Sequence, residues 1–449
     1  MKFVLLLLLS ALSLSAQIVT QSVNDTWFAW NGGTNRILTY GFSAYRTDSF
    51  AWHIDNTASK TPRVYNASDD VLQSSFTVGS DGDESCQVAR AWSIQDHASN
   101  IIVAIVDDSF ALGHPDLQGR WWINPATGVP GVYVNASGVA GTNANVSDAM
   151  IHGTQAAGII GAIGNNSAGV VGVCKSGVQI MPVATDGSFG GLGFGIGWAA
   201  TNGANVILFA YGSSSQRTTW TNGVTQAQER GCLLVCATVE GSPTHDVGGE
   251  FSSFATRDYP TQWGRNLSTN IIPWMSNIVA VSASIPDGTR YSVSGWSTNF
   301  IDILYPGLRI PSCLPPADYA TFNGTSPASA IAAGHAALLM ERYRSENFMQ
   351  IKERMMSNTT QRVAYSTNCF SGGNGNFYQS LIWRRPDPSA VRRIRLSLGA
   401  GGWDVERTIG LEFPYSWKNY FVSTGREQVE LPIYEKPERM FYRVKSLSQ

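Results

Sequence analysis

Five short apolar runs, separated by stretches with helical spacing, set the first limit on how this chain folds. They cover residues 101–106, 178–183, 205–210, 232–237 and 278–283. A strand that is apolar at nearly every position needs cover on both faces, which is the condition inside a parallel sheet. The cover comes from helical patterns between the runs, for example 195–202 and 219–230. Strands alternating with helices predict an α/β domain of three layers around a mostly parallel sheet, placed here at residues 86–345. Pro182 falls inside the second run and is expected to end or bend that strand.

The flanks read differently. Residues 17–85 hold short β-like runs broken by turn residues such as Asn31-Gly32-Gly33, and end in the polar, acidic stretch 79–83. They form an N-terminal β-rich region with the length of a prosegment. Beyond 346 come an Arg/Lys-containing helical stretch, a Gly-Gly-Asn-Gly turn at 372–375, and β-like alternation at 391–398 and 441–444. A small C-terminal β-rich module over 346–449 is expected. Residues 1–16 combine Lys2, a leucine run, and small residues around Ser13, Ser15 and Ala16, the pattern of a secretory signal peptide. No later segment has 18 uninterrupted apolar residues, so an extracytoplasmic protein with no membrane attachment after cleavage is expected.

Charge narrows the partners. Lys and Arg number 31 against 33 Asp and Glu, a net charge of −2, with no basic run. Nothing here draws the chain to nucleic acid. Six cysteines are far too few for a disulfide scaffold. Cys232 and Cys236 would share a strand face about 13 Å apart, too far to bridge, and read as core residues rather than metal ligands.

Three segments carry residues suited to nucleophilic hydrolysis. Asp107 closes the first apolar run, where a carboxylate at the carboxyl end of a buried strand would sit. His152 opens His152-Gly153-Thr154-Gln155-Ala156-Ala157-Gly158, which reads as a helix start. Ser326 lies in Asn323-Gly324-Thr325-Ser326-Pro327, just ahead of the helical run 330–343. A hydroxyl needs a base, the base needs an orienting carboxylate, and the oxyanion needs donors. A backbone N–H at a helix start, such as that of Ser326, is one such donor. Each segment alone is uninformative; their order, Asp then His then Ser, is not.

On these residues the chain resembles the subtilase family. Ala104-Ile105-Val106-Asp107-Asp108 with His114-Pro115-Asp116-Leu117 is similar to the family's Asp segment, the paired aspartates resembling its kexin-like branch. His152 to Gly158, followed by Asn165-Asn166-Ser167-Ala168-Gly169-Val170, resembles the His segment and its loop. Gly324-Thr325-Ser326 with Ala333-Gly334 resembles the Ser segment. The resemblance implies a subtilisin-like three-layer domain and a secreted serine endopeptidase acting on protein or peptide substrates. Ser326 would be nucleophile, His152 base and Asp107 orienter. Gly187 and Ser188 on one side, and Ala210, Tyr211 and Gly212 on the other, would pair with an extended peptide backbone. Asp116 and Asn166 would hold a structural calcium ion.

The sequence departs from the family where the oxyanion asparagine is usual. Cys236-Ala237-Thr238-Val239-Glu240-Gly241 puts Glu240 there. An ionised Glu240 would repel the oxyanion, whereas a protonated one could donate to it and give activity that rises at acidic pH. Loss of one donor costs about 10²–10³ in rate, which slows a subtilisin-type enzyme without abolishing turnover. Pro327, directly after the nucleophile, restricts the residue before it. Two readings follow: an active protease with an atypical oxyanion hole, or a catalytically impaired pseudoenzyme that binds or regulates. Tyr211-Gly212-Ser213-Ser214-Ser215-Gln216 is neutral, so a preference for basic substrates is not implied.

Overall fold

The computed structural model describes residues 86–145, 151–211, 218–238, 240, 275–298 and 300–384, and outside these the backbone of several strands. The expected signal peptide, the 79–83 stretch and Gly212 lie outside the described residues. Strands β1 (Arg36–Tyr40), β2 (Ser43–Thr47), β3 (Arg63–Asn66) and β4 (Leu72–Ser75) pair in sequence as an antiparallel sheet. A short helix, α1 (Val88–Ala91), then leads into β5 (Ile102–Asp107), β6 (Val132–Asn135) and β7 (Gly138–Gly141).

Helices now alternate with strands, as the apolar runs require. In order they are α2 (His152–Gly161), β8 (Gln179–Thr185), α3 (Phe189–Thr201), β9 (Val206–Phe209), α4 (Thr218–Glu229), β10 (Leu233–Ala237) and β11 (Ile278–Ser284). Next come β12 (Ile303–Pro306), an antiparallel hairpin of β13 (Ile310–Leu314) and β14 (Asp318–Phe322), α5 (Thr325–Arg342), α6 (Phe348–Ser357), β15 (Thr359–Gln361), β16 (Gly373–Gly375) and α7 (Phe377–Ile382).

Ten strands form one sheet in the order β15-β16-β12-β11-β10-β9-β5-β8-β6-β7, parallel except at its two edges. Alternate residues divide between two cores. Val103, Ile105, Val206, Leu208, Leu233 and Val235 pack with α2 and α5; Ala104, Val106, Ile207, Phe209, Leu234 and Cys236 pack with α3 and α4. Period-2 side chains that are apolar in both phases thus produce the three layers. Cys232 and Cys236 lie buried in the second core, where the Cys232 thiol donates to the Ala204 carbonyl at 3.0 Å.

Two local expectations are corrected. Pro182 does not end its strand; β8 runs on to Thr185, with Pro182 paired to Ile105. One missing N–H is tolerated in a strand flanked on both sides. Gly131 makes room, since a Cβ there would lie 2.0 Å from the Pro182 carbonyl oxygen. Gly-Gly-Asn-Gly at 372–375 is not merely a turn: Gly373–Gly375 is β16, paired with β12 and β15, so the sheet continues past residue 345. Further along the chain, β17 (Arg392–Ser397) pairs with β20 (Gln428–Ile433), while β18 (Gly402–Thr408) lies between β19 (Lys418–Thr424) and β21 (Phe441–Ser446).

Helices α3 and α4 approach so closely that glycine is required at the crossing. A Cβ on Gly223 would stand 2.4 Å from the Gly193 carbonyl oxygen, and one on Gly193 would stand 2.5 Å from the backbone of Thr219. Gly223→Ala should therefore destabilise the domain by about 1–3 kcal/mol, the usual cost of overpacking. A lower urea midpoint at unchanged slope would show it. A wild-type midpoint would mean that the helices separate without cost.

Candidate active site

The central strands β9, β5 and β8 are neighbours, and their carboxyl ends carry the residues of interest. Asp107 is the last residue of β5 and fully buried. Ala210 and Tyr211 follow β9, and Gly187 and Ser188 follow β8. This is the end of an open parallel sheet at which ligands bind. The Ser188 side chain is already engaged. Its hydroxyl donates to Asp186 Oδ1 at 2.5 Å and accepts the Gly191 N–H at 3.0 Å, capping α3. The Ser188 backbone is engaged as well, the N–H donating to Asp186 Oδ1 at 3.0 Å and the carbonyl accepting the Leu192 N–H at 3.0 Å.

His152 is the first residue of α2, and its Nδ1 lies 2.8 and 2.9 Å from the two oxygens of Asp107. A carboxylate only accepts, so Nδ1 carries the proton and Nε2 is left as the basic nitrogen. Asp107 Oδ1 also accepts the Asp108 N–H at 2.8 Å. The helix carrying His152 has no cap of its own, because its N-cap residue is Ile151. Asp108 supplies one from across the chain: its Oδ1 accepts the Gly153 N–H at 3.2 Å and the Ser109 N–H at 2.6 Å. The two aspartates divide the work, the first orienting the imidazole and the second anchoring its helix.

Charge sets the basicity of the pair. Burial draws the His152 pKa down, but the charge and hydrogen bond of Asp107, with the charges of Asp108 and Glu240, outweigh it and push the value up to about 8. Burial and the adjacent Asp107 push the Asp108 carboxyl up to about 6, against the hydrogen bonds from Gly153 and Ser109. Burial, then the charges of Asp107 and Asp108 and a side-chain interaction with Asp107, raise the Tyr211 phenol, which is therefore neutral. Its ring lies 6.3 Å from that of His152, and Phe322 meets the imidazole edge-on at 5.1 Å.

Ser326 is half-buried in the first turn of α5, which begins at Thr325 rather than near residue 330. Pro327 does not delay the helix, because a first-turn residue has no intrahelical partner for its N–H. Helices α2 and α5 pack against each other, and Phe322, four residues before Ser326, reaches His152. The carboxylate–imidazole half of the relay is hydrogen-bonded; among the described residues no hydrogen bond joins the Ser326 hydroxyl to His152. Such bonds are often long before substrate binds.

Glu240 stands beside the segment that carries Ser326. Its Oε1 accepts the Thr325 N–H at 2.6 Å, so in this geometry it is an acceptor and not a donor. Asp116 is buried, with Oδ1 2.5 Å from Asn166 Nδ2 and Oδ2 accepting the Val170 N–H at 3.0 Å. The sequence did not reveal Asp108 as a helix cap, Glu240 as an acceptor for Thr325, or the ring contacts of Tyr211 and Phe322. Each is a contact between segments distant in the chain, and no local spacing encodes it.

Comparison with known proteins agrees with this architecture. The family model described as "Subtilase family" matches residues 98–375. Alkaline elastase YaB from Bacillus sp. (strain YaB) is 32% identical over 278 residues, spanning 61% of this chain and 63% of its own length. Subtilisin Savinase from Lederbergia lenta is 30% identical over 279 residues, 61% of this chain and 88% of its own. A solved structure of proteases from Pseudoalteromonas arctica PAMC 21717 superposes with a TM-score of 0.51 at 22% identity, covering 65% of this chain and 91% of that one. The three-layer α/β domain is thus subtilisin-like, and the chain belongs to the subtilase family.

Proposed function

We propose that this protein is a secreted serine endopeptidase in which Ser326, His152 and Asp107 form the catalytic relay. The carrying observation is the buried Asp107 bonded to His152 at the carboxyl ends of the central strands, with Ser326 in the first turn of the adjacent helix. In the reaction, His152 Nε2 takes the hydroxyl proton as Ser326 Oγ bonds to the scissile carbonyl carbon. The Ser326 N–H faces the developing oxyanion. His152 then returns the proton to the leaving amine, and water releases the acyl group by the same steps in reverse order of partners. The segments after β8 and β9 offer backbone groups to an extended peptide, which favours broad specificity.

The inactive alternative rests on two features of the same site, the acidic Glu240 and the absence, among the described residues, of a hydrogen bond between the Ser326 hydroxyl and His152. Covalent labelling of Ser326 by a fluorophosphonate, lost in Ser326→Ala, decides between them. A folded wild-type protein that takes no label at any pH would establish the pseudoenzyme.

The pH dependence follows from His152. With a pKa of about 8, the imidazole is protonated and unable to act as a base below that value. Labelling and peptide hydrolysis should therefore rise with pH through about 8, not toward acid. Asp108→Asn keeps an acceptor for Gly153 but removes one of the raising charges, so its acid limb should move to lower pH. An unmoved limb would show that Asp108 does not act on the imidazole.

A structural calcium ion at Asp116 and Asn166 belongs to the same proposal. The Asn166 carboxamide already contacts a buried carboxylate through Nδ2, while its Oδ1 accepts the Ala168 N–H at 2.9 Å; presenting the oxygen to an ion would exchange that bond for one to calcium. With loop carbonyls these groups have the hard-oxygen chemistry calcium needs. The ion would neutralise Asp116 and stiffen the loop after α2, with no part in bond making. Calcium should raise the melting temperature and a chelator should lower it. Asp116→Asn should remove the difference. Equal melting with and without calcium would exclude the ion.

A further inference from the structure

We infer that Glu240 is a positioning residue for the nucleophile, capping the helix that carries Ser326 from a distant segment; this rests on the relay proposed above. Helix α5 has no side-chain cap of its own, because its N-cap residue is Gly324. Glu240 Oε1 fills that role, accepting the Thr325 N–H at 2.6 Å, with the Thr325 hydroxyl 3.4 Å away. The same hydroxyl donates to the Thr238 carbonyl at 2.7 Å, tying the first turn of α5 to the end of β10. Upstream, Asn323 Oδ1 accepts the Arg309 N–H at 2.6 Å, and the Gly324 N–H donates to the Gly307 carbonyl at 2.7 Å. Glu240 is the last of these ties before Ser326.

Gly324 records how tightly the carboxylate is seated. Its φ is +121°, and a Cβ there would lie 2.2 Å from Glu240 Oε1. A side chain at 324 would displace the carboxylate from the Thr325 N–H. An anion at a helix N-terminus is also favoured by the unsatisfied backbone N–H groups there. The same charge opposes catalysis, since it repels a developing oxyanion and raises the basicity of His152. Glu240 therefore orders the nucleophile and slows its reaction through one carboxylate.

Substitution separates the two effects. Glu240→Gln keeps an oxygen for the Thr325 N–H and offers an amide N–H to the oxyanion. Its melting temperature should match that of the wild type, and kcat should rise by up to about 10²–10³-fold with KM unchanged. Glu240→Ala and the length-matched Glu240→Met remove the charge and the acceptor together. Their fluorophosphonate labelling at Ser326 should be slower than that of Glu240→Gln by more than the roughly 10²–10³-fold owed to the missing amide donor, with an excess of about 2- to 30-fold, the range expected for a lost cap, matched by a lower melting temperature. Their acid limbs should fall with that of Glu240→Gln, because all three lack the charge near His152. If Glu240→Met melts with the wild type and labels no more slowly than the missing amide donor accounts for, Glu240 positions nothing. If Glu240→Gln and the wild type both stay unlabelled while folded, the relay itself is refuted instead.

Discussion

The paired contact between the Asp107 carboxylate and His152 Nδ1 is the constraint around which the site is arranged. An unpaired carboxylate at zero exposure would be costly; one accepting from an imidazole and a backbone N–H is not. The contact fixes the ring tautomer, leaves Nε2 basic, and joins the end of β5 to the start of α2. It also divides stability from activity. A histidine raised above its unfolded value of about 6.5 adds stability that is fully present below that pH and is lost as pH rises through about 8. The neutral imidazole that catalysis needs is therefore the form in which this contribution has gone.

A second regularity concerns the two helices that meet at the site. Both α2 and α5 begin without a side-chain cap of their own, at Ile151 and Gly324. Both receive an acidic acceptor from elsewhere: Asp108 for the Gly153 N–H and Glu240 for the Thr325 N–H. A local cap would fasten a helix only to its own entry loop. An acceptor from another segment also fixes the helix relative to the sheet, which is what a relay spanning three segments requires. The two anions that do this also raise His152, so part of its basicity is a by-product of how the helices are anchored.

Much of this was legible in the residues. Apolar positions in both phases of each strand gave the sheet its two covered faces, and the candidate Asp and His lie at the strand end and helix start expected of them. Ser326 lies in the helix rather than ahead of it, because Pro327 looks like a breaker until its place in the first turn is known. Pro182 and Gly373–Gly375 were misread for a related reason. Proline and glycine mark turns locally, but neighbouring strands can hold them in a ladder. Glu240 was legible as a departure from the family pattern, not as a partner of Thr325, because 85 residues separate them.

On the proposed relay, magnitudes decide which departure from a subtilisin-type site would limit turnover. With a pKa of about 8, about one-tenth of His152 is neutral at pH 7, a loss of about 1.4 kcal/mol that higher pH restores. A missing oxyanion donor costs about 2.7–4 kcal/mol and is not restored by pH. An anion held beside the oxyanion adds to the second loss, not the first. On that relay the oxyanion side would set the ceiling and the imidazole only the approach to it. Such a site would reach a plateau above pH 8 that stays well below that of a protein with a neutral amide at position 240.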